Sequence, residues 1–185
     1  MSEPKEYRLP KMGVSQKGRV VLRKMRSENN VRKAYRKYNS YDESKWEKTA
    51  FYPDTGGYLV TDRKRIAQMG QDTDKDRKEI RTANFFASKG FQIEYLEDMP
   101  GTYDVNVVGK ARFIVNGKRA DMKSSVSGNN IVHYAKHAVK DQGAEFVLIE
   151  FQQHHKKISE AINEMRRNHI KGYYYFMGED KYYAI

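Results

Sequence analysis

Residues 111–151 read ARFIVNGKRADMKSSVSGNNIVHYAKHAVKDQGAEFVLIEF, and this stretch decides the fold. Its first part contains two β-prone runs, at 111–115 and 119–123, on either side of Asn116-Gly117. Asn-Gly is typical of the type I′ turn, whose backbone twist matches that of two antiparallel strands. We therefore expect a tight β-hairpin here.

The second part of the stretch predicts a helix followed by a buried strand. Between 129 and 142, apolar residues recur at the spacing of one helix face. The residues expected on the buried side are Ile131, Tyr134, Ala135 and Ala138. The run EFVLIEF at 145–151 is apolar almost throughout, as in strands that are covered on both faces. A strand that follows a crossover helix pairs in parallel, so we expect a mixed α/β fold.

The flanking sequence extends this alternation in both directions. The further predicted elements are hairpin strands at 50–52 and 58–61, a polar linker or helix approach over 62–78, a helix over 75–89, strands at 91–96 and 103–108, a helix over 158–169, and a last hairpin at 172–176 and 181–185. For the helix over 75–89, Asp74 or Asp76 is the expected N-cap and Gly90 the C-terminal stop. We expect an α/β (α+β mixed) fold in which a central mixed β-sheet is flanked by helices.

Positive charge is concentrated near the N-terminus. The chain has 185 residues and a formal net charge of +11, and residues 1–48 carry 14 Lys and Arg against 6 Asp and Glu, a net +8. This excess favours an anionic partner, with nucleic acid as the first candidate. The asymmetry also predicts three parts, namely a basic N-terminal extension at 1–48, a hairpin and linker at 49–74, and an α/β domain at 75–185.

Aromatic residues are interleaved with the basic residues of the extension. They are Tyr35, Tyr38, Tyr41 and Trp46. Bases of a single-stranded nucleic acid stack on such rings while Lys and Arg neutralise the backbone. The alternative is that a short helix over 28–38 packs its tyrosines on the main body of the protein. The sequence leaves both interpretations open.

Acidic residues and a lysine fall at positions suited to metal chemistry. Glu79 lies early in a predicted helix, and Asp104 begins a predicted strand. Residues i and i+2 of a strand point to the same face, so Asp121 and Lys123 are expected side by side. Carboxylates from two strands and a helix make an oxygen-rich pocket that suits Mg²⁺ or Mn²⁺, with Zn²⁺ as a further candidate. Such an ion activates water, which Lys123 would orient toward a scissile phosphate.

This order of residues resembles the PD-(D/E)xK nuclease superfamily over about 75–151. One branch is more similar still, namely the C-terminal tRNase domains of bacterial contact-dependent inhibition toxins (CdiA type), which also occur on phage head-morphogenesis and mobile-element proteins. The matching residues are Glu79-x-x-x-Ala83, Gly90, Asn116-Gly117, Asp121-Met122-Lys123 and the run AVKDQGA at 138–144. The chain departs from the superfamily pattern at Tyr103, where a proline is usual, and at Asp121, where Glu is commoner. Asp98 is an alternative acid.

The resemblance implies a restriction-endonuclease-like fold and an endonuclease activity. It implies a metal held by Glu79, Asp104 and Asp121, a nucleophile oriented by Lys123, and water or phosphate positioned by Gln142. The implied substrate is RNA, with tRNA favoured over other RNA and over DNA. The implied partner is a cognate immunity protein that neutralises the toxin.

Basic residues near these acids are the predicted contacts of the nucleic-acid backbone. Around the hairpin they are Lys110, Arg112, Lys118 and Arg119, and on the following helix they are His133, Lys136, His137 and Lys140. Their charges would steer the phosphodiester backbone to the acidic site.

Two other functions stay open. His133 and His137 are i and i+4 on one helix and share a face. They would support metal-independent acid–base cleavage of RNA through the 2′-hydroxyl, as in the barnase/EndoU/colicin-like toxin nucleases. The second alternative is a non-catalytic nucleic-acid-binding or phage structural module. In that case Asp121 and Lys123 would be an ordinary surface ion pair.

Several classes of protein are excluded by composition. The chain has no cysteine, so it has neither disulfides nor thiolate metal sites. No run approaches the roughly 18 to 20 apolar residues of a membrane span, and the N-terminus lacks the apolar segment of a signal peptide. We therefore expect a cytoplasmic protein that makes no contact with a membrane. Nothing in the sequence specifies an oligomeric state.

Overall fold

The computed structural model of the chain describes residues 16–70, 72–98 and 111–185. These ranges contain five helices, namely α1 (Gln16–Asn39), α2 (Arg63–Gln68), α3 (Thr73–Ser88), α4 (Ile131–Lys140) and α5 (Lys156–Arg167). They contain eight strands, namely β1 (Trp46–Tyr52), β2 (Gly57–Asp62), β3 (Gln92–Tyr95), β4 (Phe113–Val115), β5 (Lys118–Ser125), β6 (Phe146–Phe151), β7 (Gly172–Phe176) and β8 (Tyr182–Ala184). The predicted strand over 103–108 lies outside the described residues.

All eight strands belong to one sheet, and their spatial order is their order along the chain. Strands β2, β3, β5, β6 and β7 run in one direction, and β1, β4 and β8 run in the other. The sheet is therefore mixed, as expected from the sequence. The parallel pairing of β5 with β6 through the crossover helix α4 is also confirmed.

The hairpin between β4 and β5 forms as its turn sequence predicts. Asn116 has a φ of 51° and Gly117 a φ of 80°, so both central residues of the turn have the left-handed conformation of type I′. The strands β1 and β2 also form a hairpin, and β2 pairs with β3. Consequently the hairpin before residue 75 and the strands after it share one sheet.

Each face of the sheet is covered by its own helices and has its own core. Helix α3 packs on one face, where Phe86 joins Leu59, Met122 and Leu148. Helices α4 and α5 pack on the other face, over Val147 and Ile149 of β6 among other residues. Because successive side chains of a strand point to opposite faces, β6 contributes to both cores. This explains why its sequence is apolar almost throughout.

The polar segment 62–78, predicted to be a linker or the approach to a helix, contains the short helix α2 and the start of α3. Strand β2 continues to Asp62, whose carboxylate accepts a hydrogen bond of 2.8 Å from the backbone N–H of Lys64 and so caps α2. Helix α3 then begins at Thr73, and its N-cap is Asp72 rather than Asp74 or Asp76. The carboxylate of Asp76 is instead buried against the Arg65 guanidinium. The starts of α2 and α3 were not recognised in this polar segment, because two of its charged residues, Arg65 and Asp76, are buried by pairing with each other.

Other element boundaries differ by a few residues from those predicted. The helix expected over 28–38 is the C-terminal part of the longer α1. Helix α4 is shorter than the range 129–142, since Asn130 adopts a left-handed conformation with φ 59° and so lies outside the helix. Tyr134, expected on the buried side of this helix, is 48% exposed. Among the described residues, no helix combines the length and hydrophobicity that crossing a bilayer requires.

Most aromatic residues of the N-terminal part pack on the body of the protein. The ring of Tyr38 lies 5.3 Å from that of Phe51, and the ring of Tyr41 lies 5.5 Å from that of Trp46. Their ring faces are therefore occupied by neighbouring side chains rather than free for bases, whereas Tyr35 remains 51% exposed. The basic side chains of α1 that the structure describes, such as Lys24 and Arg26, are exposed.

Close backbone packing at Gly57 provides a test of the fold. A Cβ at this position would lie 1.8 Å from the carbonyl oxygen of Ala87, at the end of α3. We expect Gly57→Ala to lower the free energy of unfolding by about 3 kcal/mol or more, because the helix would have to move off the sheet. Urea unfolding of both proteins measures the difference.

The matched control is Gly70→Ala. A Cβ at Gly70 would meet nothing within 4 Å, so only its φ of 100° is unfavourable for alanine. That strain costs about 1 to 2 kcal/mol. Equal losses in the two variants would contradict the close approach of α3 to β2.

Candidate functional site

The carboxyl ends of the parallel strands meet at one edge of the sheet, which we call the carboxyl edge. In open α/β sheets ligands bind beyond this edge. A cavity of about 370 Å³ opens there between the first half of α3, the end of β5 and Tyr134 of α4. We call it the carboxyl-edge pocket, and its lining residues are Asp72, Asp74, Lys75, Lys78, Glu79, Thr82, Met122, Lys123, Ser124 and Tyr134.

Asp121 and Lys123 are in direct contact near the end of β5. The Lys123 ammonium forms an ion pair with the Asp121 carboxylate, whose other oxygen accepts a hydrogen bond of 3.0 Å from the backbone N–H of Met122. Asp121 is 4% exposed, whereas Lys123 is half-buried and lines the pocket. A buried carboxylate thus holds a lysine whose ammonium reaches an open cavity. Such a cation suits an anionic ligand.

Glu79 is surrounded by donors on the other side of the sheet. Its carboxylate accepts a hydrogen bond from the Tyr95 hydroxyl and lies 3.0 Å from the Arg112 guanidinium and 3.5 Å from that of Arg65. Burial, followed by the nearby Glu79 charge, raises the pKa of the Tyr95 hydroxyl, so the hydroxyl remains a donor. In this arrangement Glu79 joins α3 to α2 and β3.

The structure does not bring Glu79 and Asp121 together. Glu79 belongs to α3, which packs on the face of the sheet that carries Met122. Asp121 is paired in register with Val147, which faces α4 and α5. The two carboxylates therefore lie on opposite faces of the sheet, since neighbouring residues in register point to the same side.

The described carboxylates do not form a metal site by themselves. Within residues 16–70, 72–98 and 111–185, no group of three His, Cys, Asp or Glu side chains is arranged to hold a metal ion. Asp104, the third predicted ligand, lies outside the described residues. The alternative acid Asp98 lies 2.9 Å from the Arg112 guanidinium and is thereby engaged. The predicted Mg²⁺, Mn²⁺ or Zn²⁺ site thus remains a prediction.

The predicted backbone-steering residues around the β4–β5 hairpin are dispersed. Arg112 is engaged by Glu79 and Asp98. Lys118 and Arg119 lie at the amino end of β5, about 13 to 17 Å along the strand from Lys123, given 3.3 Å per residue. Lys110 lies outside the described residues.

The basic face of α4 is exposed, as a surface for an anion requires. His133 and Lys140 are exposed, and the ring of His133 lies 5.8 Å from that of Tyr134 at the pocket. His137 is paired through Nδ1 with Asp141 at 2.5 Å, and Lys136 lies 3.3 Å from Glu164. His133 is therefore the member of this set that lies beside the carboxyl-edge pocket.

Gln142 lies in the loop after α4, on the same side of the sheet as Asp121. Its backbone carbonyl accepts a hydrogen bond of 3.0 Å from the N–H of Ala111, a residue of the α4–α5 core. Its side-chain Oε1 is buried and has no hydrogen-bond partner among the described residues. An unsatisfied buried acceptor is unusual and marks a place where a further donor would be stabilising.

A buried glutamate beside the pocket was missed by the sequence analysis. Glu150 on β6 is fully buried, and its two oxygens accept hydrogen bonds of 2.5 Å each from Arg81 of α3. Tyr175 donates to Glu150 at 2.6 Å, and Ser124 of the pocket donates at 2.8 Å. The only signal was one acid inside the apolar run EFVLIEF, at a position that points to the α3 face.

The pKa of the Glu150 carboxyl is affected more by its hydrogen bonds taken together than by its burial. Burial raises the pKa of its carboxyl, but the hydrogen bonds from Arg81, Tyr175 and Ser124 together lower that pKa below its ordinary value. A carboxylate with a lowered pKa in the folded state stabilises the protein above its ordinary pKa of about 4.3. This stabilisation is lost as the pH falls through the folded-state value.

We expect Glu150→Gln to lower the free energy of unfolding by about 3 kcal/mol at pH 7, because Arg81 loses its buried partner. The difference from the unchanged protein should shrink below about pH 4, where the carboxylate becomes protonated. Urea unfolding at both pH values measures it. The control is Glu160→Gln, at an exposed residue of α5. An equal effect in both variants would show that the hydrogen bonds of Glu150 do not stabilise the fold.

Comparison of the sequence with protein-family models finds no match, and comparison with curated proteins also finds none. Among solved structures, the chain is similar to a CdiA-CT/CdiI toxin and immunity complex from Burkholderia pseudomallei. The identity is 17%, the TM-score is 0.44, and the match covers 63% of this chain and 90% of that chain. This similarity is too distant to assign a function to the present chain.

Proposed function

We propose that the chain is a nuclease that cleaves phosphodiester bonds of RNA at the carboxyl-edge pocket. The observation that carries the proposal is the position of Lys123. Its ammonium is held by the buried Asp121 and reaches a cavity at the edge of the sheet where α/β proteins bind their ligands. The resemblance of Asp121-Met122-Lys123 and its surroundings to toxin tRNases supports RNA, and tRNA in particular, as the substrate.

The pocket offers cations for a phosphate and a ring for a neighbouring base. Lys75, Lys78 and Lys123 line it, and the acids beside them are Asp72, Asp74 and Glu79, of which Asp74 pairs with Lys78 at 2.5 Å. The ring of Tyr134 is 48% exposed at the rim. A phosphate among the lysines and a base against this ring would combine the two contacts by which proteins hold single strands.

Lys123 would act on the phosphate in two ways. As a cation it would bind a non-bridging oxygen and stabilise the negative charge that develops in the transition state. As a donor it would orient a water molecule whose oxygen bonds to the phosphorus while the bond from phosphorus to one ribose oxygen breaks. The proton released by the water passes to solvent, and the leaving ribose oxygen takes up a proton from solvent. Asp121 would be a positioning residue, because its buried carboxylate restricts the ammonium to one part of the pocket.

That cleavage at this pocket requires a metal ion is a separate prediction. The described carboxylates do not form a metal site alone, and Asp104 lies outside them. Inhibition by EDTA with rescue by Mg²⁺ or Mn²⁺ would support the ion. Activity that survives EDTA but is lost in His133→Ala would favour the acid–base mechanism on α4 instead.

The sequence resemblance also supports a toxin function with a cognate immunity protein as partner. A small acidic protein encoded next to this chain would be the candidate, because the chain is strongly basic. If the proposal holds, coexpression of that protein should block RNA cleavage and form a complex with the purified chain.

We expect Lys123→Met to reduce cleavage of total tRNA by a factor of about 100 or more, since one cation at a developing charge contributes a factor of about 100 to 1,000. Asp121→Asn should reduce it less. Cleavage is followed on denaturing gels with and without Mg²⁺, and thermal unfolding checks that both variants fold.

Lys171→Met is the matched control, because Lys171 is an exposed lysine at the amino edge of the sheet, before β7. It should retain the activity of the unchanged protein. Full activity in Lys123→Met, or the absence of RNA and DNA cleavage by the unchanged protein under every divalent ion, would refute the proposed nuclease.

A further inference from the structure

A second groove, of about 590 Å³, lies between α5 and strand β7, next to the edge strand β8. We call it the α5–β7 groove. Its aromatic and basic lining residues are His154, His155, Lys156, Arg166, Tyr174 and Phe176. Its apolar floor contains Ile158 and Ile162, which belong to the α4–α5 core. The groove therefore lies on the same side of the sheet as Asp121 and Lys123.

Two pairs of stacked rings lie at this groove or at its border: His154, Phe176 and Tyr174 line it, and Tyr183 of β8 stacks on Tyr174 beside it. The rings of His154 and Phe176 are 3.8 Å apart with planes at 18°, and those of Tyr174 and Tyr183 are 5.2 Å apart with planes at 27°. His154 is exposed, and Tyr183 is 40% exposed. The outer rings of both pairs thus face solvent, and stacked flat rings of this kind accept a nucleic-acid base.

The charge of the groove is positive. Lys156 and Arg166 are exposed, and no Asp or Glu is among its lining residues in the part of the chain that the structure describes. An acid occurs only at its margin, where Glu179 pairs with His154. Arg166 donates to the carbonyl of Ala184 at 3.2 Å, which leaves further guanidinium donors for an anion.

The groove and the carboxyl-edge pocket open at the same edge of the sheet. Strands β5, β6 and β7 are parallel neighbours, so their carboxyl ends lie in a row that spans about 10 Å between β5 and β7. The Lys157 ammonium donates to Asn129 at 3.3 Å and joins the start of α5 to the loop after β5. A strand leaving the pocket can follow this edge into the groove.

We infer that the α5–β7 groove binds an unpaired stretch of the nucleic-acid substrate. The inference rests on the proposed function and deepens it, because it names a single-stranded segment as the substrate. Rings with solvent-facing surfaces require bases whose faces are free, and bases in a duplex are already stacked. Tyr183 and His154 receive bases, while Lys156 and Arg166 neutralise the backbone between them.

The test is binding of a short fluorescein-labelled RNA of mixed sequence, measured by fluorescence anisotropy in the Lys123→Met background so that the RNA stays intact. The single strand should bind more tightly than the same RNA annealed to its complement. Adding Tyr183→Leu should weaken binding of the single strand by about 5- to 100-fold, the range expected for loss of one stacked base.

Two matched controls separate the groove from the rest of the surface. Tyr182 is as exposed as Tyr183 but contacts Phe86 and Phe91 on the opposite face of the sheet, so Tyr182→Leu should leave binding unchanged. Arg166→Gln should lower the slope of log K against log salt by about 0.7 for each lost phosphate contact. Arg167→Gln, at an exposed residue that does not line the groove, should keep the slope. Thermal unfolding checks every variant.

Each outcome decides between the hypotheses. Equal weakening by Tyr183→Leu and Tyr182→Leu, or tighter binding of the duplex, overturns the inference. Loss of an acidic protein partner in the groove variants with unchanged RNA binding also overturns it. If the protein with its native Lys123 binds the single strand through the groove but cuts no nucleic acid, the nuclease proposal fails and the groove stands. If it cuts RNA while all groove variants bind normally, the groove fails and the nuclease proposal stands.

Discussion

Strand β6 is covered on both faces, and the positions of Asp121 and Lys123 follow from its pairing with β5. In this pairing Asp121 lies beside Val147 and Lys123 beside Ile149, so both face α4 and α5. Ala120 and Met122 point the opposite way, into the core beneath α3. A register shift of one residue would exchange the two sets and bury the ion pair under α3. The alternation of apolar and charged residues along β5 therefore fixes which side of the sheet carries the lysine.

The acidic residues on the two faces of the sheet differ in the partners that they have. On the α3 face, Asp76, Glu79 and Glu150 are matched with arginines, namely Arg65, Arg112 and Arg81. Buried carboxylates need such partners, because an unpaired buried charge is strongly destabilising. These pairs hold α2 and α3 to the sheet, so the acids are engaged in structure. On the other face, the buried Asp121 is paired with Lys123, which is only partly buried and lines the carboxyl-edge pocket.

Short-range patterns in the sequence predicted most of the sheet and little of the ion-pair network. Asn116-Gly117, the apolar run at 145–151 and the spacing of Ile131, Ala135 and Ala138 each act locally, and all three led to the right elements. The burial of Arg65 and Asp76 could not be read from a polar segment, because each is buried only through the other. The sequence also could not predict that Glu79 and Asp121 lie on opposite faces of the sheet, because this depends on which face α3 covers. Spacing along the chain does not contain that information.

The strand order in space repeats the strand order in the chain. Every pairing therefore joins strands that are consecutive in the chain, although helices separate β2 from β3, β5 from β6 and β6 from β7. The sheet can grow one strand at a time as the polypeptide emerges, without waiting for a distant partner.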